Sequence, residues 1–300
     1  MAFLLWHFPV SGVTTSLLLP PLVSFVISFF TSMGGVSGAF LLLPFQVSFL
    51  GYTAPSVSAT NQVFNIIAIP SGVWRYIKEG RMVWPLTWAV IIGTLPGVFV
   101  GAWVRIRYLP DPTNFKFFAG FVLLYIGLRL LLDMLHSRTD RPGSGGAGDF
   151  VAGETSFSLR RVRFTFNGTV YSFPVPGVLA FTFIVGIVGG IYGIGGGVII
   201  APFFITFLKL PVYIVAGACL MGTLITSIAG VGFYHLLALL HPEMSIAPDW
   251  SLGVLFGAGG FAGIYLGARV QKYVPVVVIK LILTLSLLFV ALRYLAGIFR

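Results

Sequence analysis

The sequence predicts an all-α integral membrane protein of about eight transmembrane segments in two four-segment repeats. Each repeat carries a Gly-rich broken or re-entrant helix, and a small β-hairpin separates the halves. Three observations predict this. Of the 300 residues, 57% are hydrophobic and only 9% are charged, against about 25% charged in a soluble domain. No Lys, Arg, Asp or Glu precedes Arg75, and none lies between Val175 and Leu208. A helix over that second stretch would be roughly 51 Å long, whereas the hydrocarbon core is about 30 Å thick, so the stretch must break or fold back.

Residues 1–135 read as the first membrane repeat. The leading MAFLLWHFPVSGVTTSLLLPPLVSF lacks the basic n-region of a cleaved signal peptide and is kept as mature sequence. Residues 17–50 are too long for one straight crossing and are interrupted at MGGVSG, residues 33–38. Apolar segments follow at about 55–74, 84–104 and 115–135. Residues 136–174 form a polar linker that opens with RPGSGGAG and continues as SLRRVRFTFNGTVYSF. Asn167-Gly168 between β-prone runs signals a two-residue hairpin turn, because a type I′ turn needs positive φ at both central positions. Arg160, Arg161 and Arg163 either hold this hairpin against the membrane surface or form a solvated flank. Residues 175–300 read as the second repeat, with segments at 175–208, 211–240, 249–270 and 275–297.

The halves overlay in two blocks. Placing Gly193 on Gly35 also places Gly196 on Gly38, Pro202-Phe203 on Pro44-Phe45, and Phe207-Leu208 on Phe49-Leu50. Placing Trp250 on Trp84 aligns Gly259, Gly263 and Gly267-Ala268 with Gly93, Gly97 and Gly101-Ala102. Four crossings per half make parallel repeats. If each Gly-interrupted stretch is instead a full hairpin, the count becomes five and the halves are inverted.

Lys and Arg outnumber Asp and Glu by 18 to 8, a net charge of +10. Most basic residues flank apolar segments, which suits anchoring to anionic headgroups and not nucleic-acid binding. With eight crossings, the positive-inside rule puts both termini and the central hairpin on the cytoplasmic side of the inner membrane. The single cysteine, Cys219, excludes an intrachain disulfide and a cysteine-built metal site. No cofactor or metal is expected.

Free backbone at membrane depth is tolerated only where protein or a water-filled cavity satisfies it. A half-helix that begins there presents unpaired N–H groups and a positive dipole end, which suit an anion. Gly193, Gly195, Gly196 and Gly197 end one element and open the next. Gly34, Gly35, Ser37 and Gly38 occupy the matching positions of the first half. The following segment supplies polar side chains: Ser58, Asn61, Gln62 and Asn65 in the first half, Cys219, Thr223 and Thr226 in the second. Cys219 falls opposite Asn61, either as pocket wall or as an inert buried residue. Close packing through small residues is the competing explanation of the glycines, and it is preferred for the Gly93-Gly97-Gly101 and Gly259-Gly263-Gly267 series. Arg129 and Arg293 suit snorkelling to the interface, with Asp133 one turn beyond Arg129. His235 serves either as a proton relay or as a structural histidine.

GIYGIGGGVIIAPFF followed by AGACLMGTLITS resembles the second-repeat signature of the sulfite exporter TauE/SafE family, also called the toluene sulfonate uptake permeases. MGGVSGAFLLLPF with SVSATNQVFN resembles its divergent first-repeat counterpart. The resemblance implies transport of small sulfur-containing or organic anions such as sulfite, sulfoacetate and other sulfonates. Two departures matter: the first break reads Gly-Gly-Val-Ser-Gly instead of a glycine triplet, and Asn61-Gln62 stands where many relatives have Thr-Ser. Both suggest a larger or more hydrogen-bonding anion. The expected partners are a small anion and membrane lipid, with a homodimer as one possible assembly. An anion-selective channel would use the same pocket. An intramembrane enzyme is disfavoured, since no HExxH, carboxylate pair or His-Cys cluster is present.

Overall fold

A computed structural model describes residues 5–33, 36–80, 82–136, 152–158, 160–166, 169–208, 210, 212–270 and 276–296. The chain begins with a short hairpin, β1 (Leu5–Phe8) and β2 (Val13–Ser16), whose register runs from Leu5 opposite Ser16 to Phe8 opposite Val13. Phe8 and Val13 are buried in the main core. The sequence reading did not foresee this hairpin.

Helices follow as α1 (Leu19–Met33), α2 (Ala39–Ser48), α3 (Ser56–Ala68), α4 (Pro70–Lys78), α5 (Trp84–Arg107) and α6 (Pro112–His136). The 55–74 segment is thus two helices. Pro70 lacks the N–H that would continue α3 and sits instead in the first turn of α4, where none is needed. Asp111 starts α6 by accepting hydrogen bonds from the Thr113 and Asn114 amides at 2.8 and 3.1 Å. Those backbone bonds, that to Asn114 foremost, hold its carboxyl below the usual range.

The linker folds as a three-stranded antiparallel sheet, β3 (Ala152–Phe157), β4 (Arg161–Phe166) and β5 (Thr169–Pro174). Phe166 pairs with Thr169 across the end of β4 and β5, while the expected turn residues Asn167-Gly168 lie outside the described residues. Along β4, exposed Arg161 and Arg163 alternate with buried Val162 and Phe164, so one face packs on the membrane domain and the other carries the positive charge. The third strand, β3, extends the expected hairpin.

The second half comprises α7 (Val175–Tyr192), α8 (Gly197–Phe207), α9 (Val212–Leu240), α10 (Trp250–Val270) and α11 (Val276–Ala296). Among the described residues, α5, α6, α7, α9 and α10 are each long and apolar enough to cross a membrane.

Two glycine seams organise the packing. Gly93, Gly97 and Gly101 lie against Thr182, Phe183 and Ile187 of α7, and Gly259, Gly263 and Gly267 lie against Pro21, Phe25 and Phe29 of α1. A methyl group on Gly97 would overlap the Phe183 carbonyl, and one on Gly263 the Phe25 carbonyl. These are backbone-to-backbone approaches of the small-residue kind, and α5 with α7 and α1 with α10 form the two most extensive helix pairs.

The residue numbers across each contact give helix direction. Both seams rise together, so α5 is parallel to α7 and α10 to α1. Gly253 meets Thr60 and Val63, and Gly257 meets Ile67, so α3 is parallel to α10. Asn65 bonds Ser227 while Gln62 abuts Gly230, so α3 and α9 are antiparallel. Gly120 meets Leu295 and Gly127 meets Leu288, so α6 and α11 are antiparallel. Arg105 lies over Phe115, which places the start of α6 at the end of α5. Val90 meets Gly222 and Phe99 meets Phe233, so α5 is parallel to α9; hence α1, α3, α6 and α10 run one way and α5, α7, α9 and α11 the other. The second half repeats the directions of the first with the sign reversed.

This arrangement corrects one expectation. The termini and the central hairpin were expected to share a side. Instead Leu5 and Ala296 lie at one end of the bundle, hereafter the terminal end, while β3–β5 lie at the opposite, sheet end. Each glycine-broken stretch turns back on itself. The odd number of passages left in each half, α3 with α4, then α5, then α6, carries the chain to the far side.

Candidate functional site

The two breaks meet inside the bundle. α7 ends at Gly193, whose N–H bonds the Gly189 carbonyl at 2.8 Å, and Gly193, Gly195 and Gly196 all adopt positive φ, at 77°, 71° and 86°. A side chain is disfavoured there twice over. The left-handed conformation strains L-residues, and a methyl on Gly193 would overlap the Ser58 carbonyl. α8 then begins at Gly197, and α2 begins at Ala39 after Ser37 and Gly38. Neither helix has a side-chain cap on its first amides.

Between them lies a narrow, partly open cleft lined by Val36, Ser37, Gly197, Val198, Cys219, Leu220 and Thr223. No lining residue is charged. Of the expected residues, Ser37, Gly197, Cys219 and Thr223 therefore converge on one space, and Gly195 packs against Thr223 just behind it. Gly38 packs on Ser28 and Ile27 of α1, and Gly196 on Val185. Gly34 and Gly35 lie outside the described residues.

The α3 side chains act differently from a simple pocket wall. Asn61 is fully buried and donates through Nδ2 to the Ala39 carbonyl at 3.0 Å and to the Gly193 carbonyl at 3.1 Å, while its Oδ1 accepts from Gln46 Nε2 at 3.3 Å. One amide thus ties the start of α2 to the end of α7. Ser58 donates to the Ile191 carbonyl at 2.8 Å. Gln62 and Asn65 face α9, where Asn65 Nδ2 bonds Ser227 Oγ at 3.3 Å and the Gln62 amide has no partner.

Sequence reasoning missed several supports. Tyr192 donates to the Phe40 carbonyl at 3.2 Å, linking the breaks a second time, and Tyr234 donates to the Gly190 carbonyl at 2.9 Å. Thr226, expected only as one of the polar side chains of the second half, reaches the Gly195 carbonyl at 3.4 Å and the Gly222 carbonyl of its own helix at 2.7 Å. Gln46 was detectable by the logic that singled out Asn61, since it too is an amide inside an apolar span. Arg105, which directly follows the apolar segment at 84–104, is completely buried. His235 is exposed on the outer face of α9 with its ring 6.1 Å from Trp250, away from the cleft lining. The Asp133 side chain lies outside the described residues.

Chemically, the site offers a small uncharged space at which the positive ends of two oppositely directed half-helices converge. Amide N–H groups at such ends favour anions. Only about 10 Å³ of the cleft is open to the centre of a water-sized sphere, room for about one water, so an anion enters only as the lining moves apart.

The model of the family described as sulfite exporter TauE/SafE matches residues 21–294. The chain is 23% identical over 279 residues to "Probable membrane transporter protein YunE" of Bacillus subtilis (strain 168), covering 89% of this chain and 93% of that protein. It is 28% identical over 107 residues to a "Probable membrane transporter protein" of Haemophilus influenzae (strain Rd), covering 35% of this chain and 37% of that one. No solved structure matches it.

Proposed function

The chain belongs to the sulfite exporter TauE/SafE family, and from that premise we propose that it is a secondary transporter of small sulfur-containing anions: sulfite, sulfoacetate or other organosulfonates. The observation that carries this reading is the meeting of α2 and α8, both starting without side-chain caps, at one uncharged cleft lined by Ser37, Gly197, Cys219 and Thr223. Backbone N–H groups hold the anion in place of its hydration shell. The oppositely directed halves supply the means of alternating access, because rocking one half against the other exposes the same cleft first to one side and then to the other.

The test is counterflow. Purified protein in proteoliposomes preloaded with unlabelled sulfite takes up labelled sulfite saturably, and sulfoacetate and other sulfonates compete. Conductance without saturation would convert the carrier into an anion channel. Absence of any exchange by folded protein would sink the transport reading.

Charge sets the orientation. At the sheet end lie Arg75, Lys78, Arg160, Arg161, Arg163 and Arg269, and at the terminal end the exposed or half-buried basic residues Arg107, Lys116 and Arg293. The positive-inside rule therefore puts the sheet in the cytoplasm and both described chain ends outside. In intact cells a membrane-impermeant maleimide then labels Thr14→Cys, while Arg161→Cys is labelled only after permeabilisation. Buried Cys219 stays silent in both. The reverse labelling pattern would invert the assignment.

A further inference from the structure

Arg105, near the end of α5, has none of its surface exposed. Its Nη1 donates to the Leu109 carbonyl, its Nη2 donates to the Thr53 carbonyl at 3.4 Å, and its Cζ stands 3.9 Å over the Phe115 ring. Among the described residues no carboxylate pairs with it, and its Nε–H has no partner. A loop staple accounts for the two carbonyl contacts. It leaves a full positive charge without a counter-charge in a low-dielectric interior, an arrangement proteins rarely tolerate.

The edge that carries the unpartnered Nε–H has a definite chemistry. Nε–H is the free donor, and beside it lies Nη2, whose bond to the Thr53 carbonyl is long at 3.4 Å; an oxyanion that displaces that carbonyl meets both donors side by side, the fork that grips two oxygens. Its position is equally specific. Ala102 and Ile106 of the same helix pack on Tyr234, whose hydroxyl holds the Gly190 carbonyl, and Ser58 holds the next carbonyl, Ile191. Arg105 therefore stands behind the last turn of α7, on the terminal side of the glycine break.

We propose that Arg105 is a second anion station of the transport path, which receives the oxyanion on the terminal side of the central cleft and whose fixed charge admits dianions as well as monoanions. The inference rests on the transport reading. The cleft itself contains only partial charges, which suffice for a monoanion. A dianion meeting Arg105 is left with a single net negative charge, the same burden that a monoanion presents to the cleft. In the state described here the guanidinium is closed off, so the anion reaches it in another stage of the cycle.

The test compares wild type, Arg105→Gln and Arg105→Lys in proteoliposomes, with methanesulfonate as the monoanion and sulfoacetate and sulfate as dianions competing for labelled exchange. Melting without anions checks that each variant is folded. Gln keeps a donor for the Leu109 carbonyl but no charge. It is expected to weaken dianion competition by about tenfold or more while changing methanesulfonate by less than about threefold, because the lost attraction acts in low dielectric. Lys keeps the charge and loses the fork, so it falls between the two. A purely structural role would weaken both classes alike, and that result, or an unchanged ratio, overturns the station. If Gln fails to fold, the dianion-to-monoanion ratio of Lys decides by the same criterion. Failure of every anion to exchange with wild-type protein would bring down the transport reading and this inference together.

Discussion

Gly193→Ala is expected to abolish exchange and to lower the melting temperature far more than Gly12→Ala or Gly51→Ala. All three glycines have positive φ, at 77°, 68° and 70°. Nothing lies within 4 Å of a methyl placed on Gly12 or Gly51, whereas one on Gly193 overlaps the Ser58 carbonyl. The left-handed conformation costs an L-residue about 1–2 kcal/mol, and forcing an atom into a packed interior adds about 1–3 kcal/mol. The two control positions carry only the first cost. Thermal melting of the three purified variants separates the terms, and equal melting temperatures would show that the close approach to Ser58 contributes nothing. Counterflow on the same samples tests whether the break must keep its shape for transport.

Asn61→Ala is expected to be as damaging by another route. It strips the Gly193 carbonyl of its donor and the Ala39 carbonyl of a second one, and a buried group left unsatisfied costs about 1–3 kcal/mol. Because Asn61 braces the two breaks and does not line the cleft, its loss should depress the maximal exchange rate about tenfold or more, the equivalent of about 1.4 kcal/mol, with less effect on half-saturation. Asn61→Asp keeps the acceptor for Gln46 and loses the donors, so it should behave like alanine. A large rise in half-saturation at unchanged maximal rate would instead make Asn61 a direct ligand of the anion.

Much of the helical architecture could be read from the sequence because membrane burial imposes it on composition. Apolar stretches of the right length become helices, and the stretch from Val175 to Leu208 had to break because it is longer than the bilayer is thick. The Gly93 and Gly259 series announced their packing role by spacing alone. Side was not legible, because it depends on whether a break continues across the membrane or turns back, and that is decided by contacts such as Asn61 with Gly193 between distant parts of the chain. The same distance hid the partners of the α3 amides. Their common helix face was readable, but the carbonyls that satisfy them belong to breaks elsewhere in the chain. Arg105 was opaque for a local reason. At the end of an apolar run, a buried arginine and one that snorkels to the headgroups have the same sequence context. β1–β2 escaped notice because its Leu-Trp-His-Phe and Val-Thr-Thr-Ser strands merge into the apolar lead of α1.

The crossed glycine seams also bear on how the chain is made. α1 is made well before α10, yet α10 is its backbone-close partner, and α5 must find α7 across the intervening sheet. Neither half contains the surface that its own seam fits. α1 therefore has no seam partner until α10 has been synthesised, and the pairing of these helices is completed only after both halves have been made.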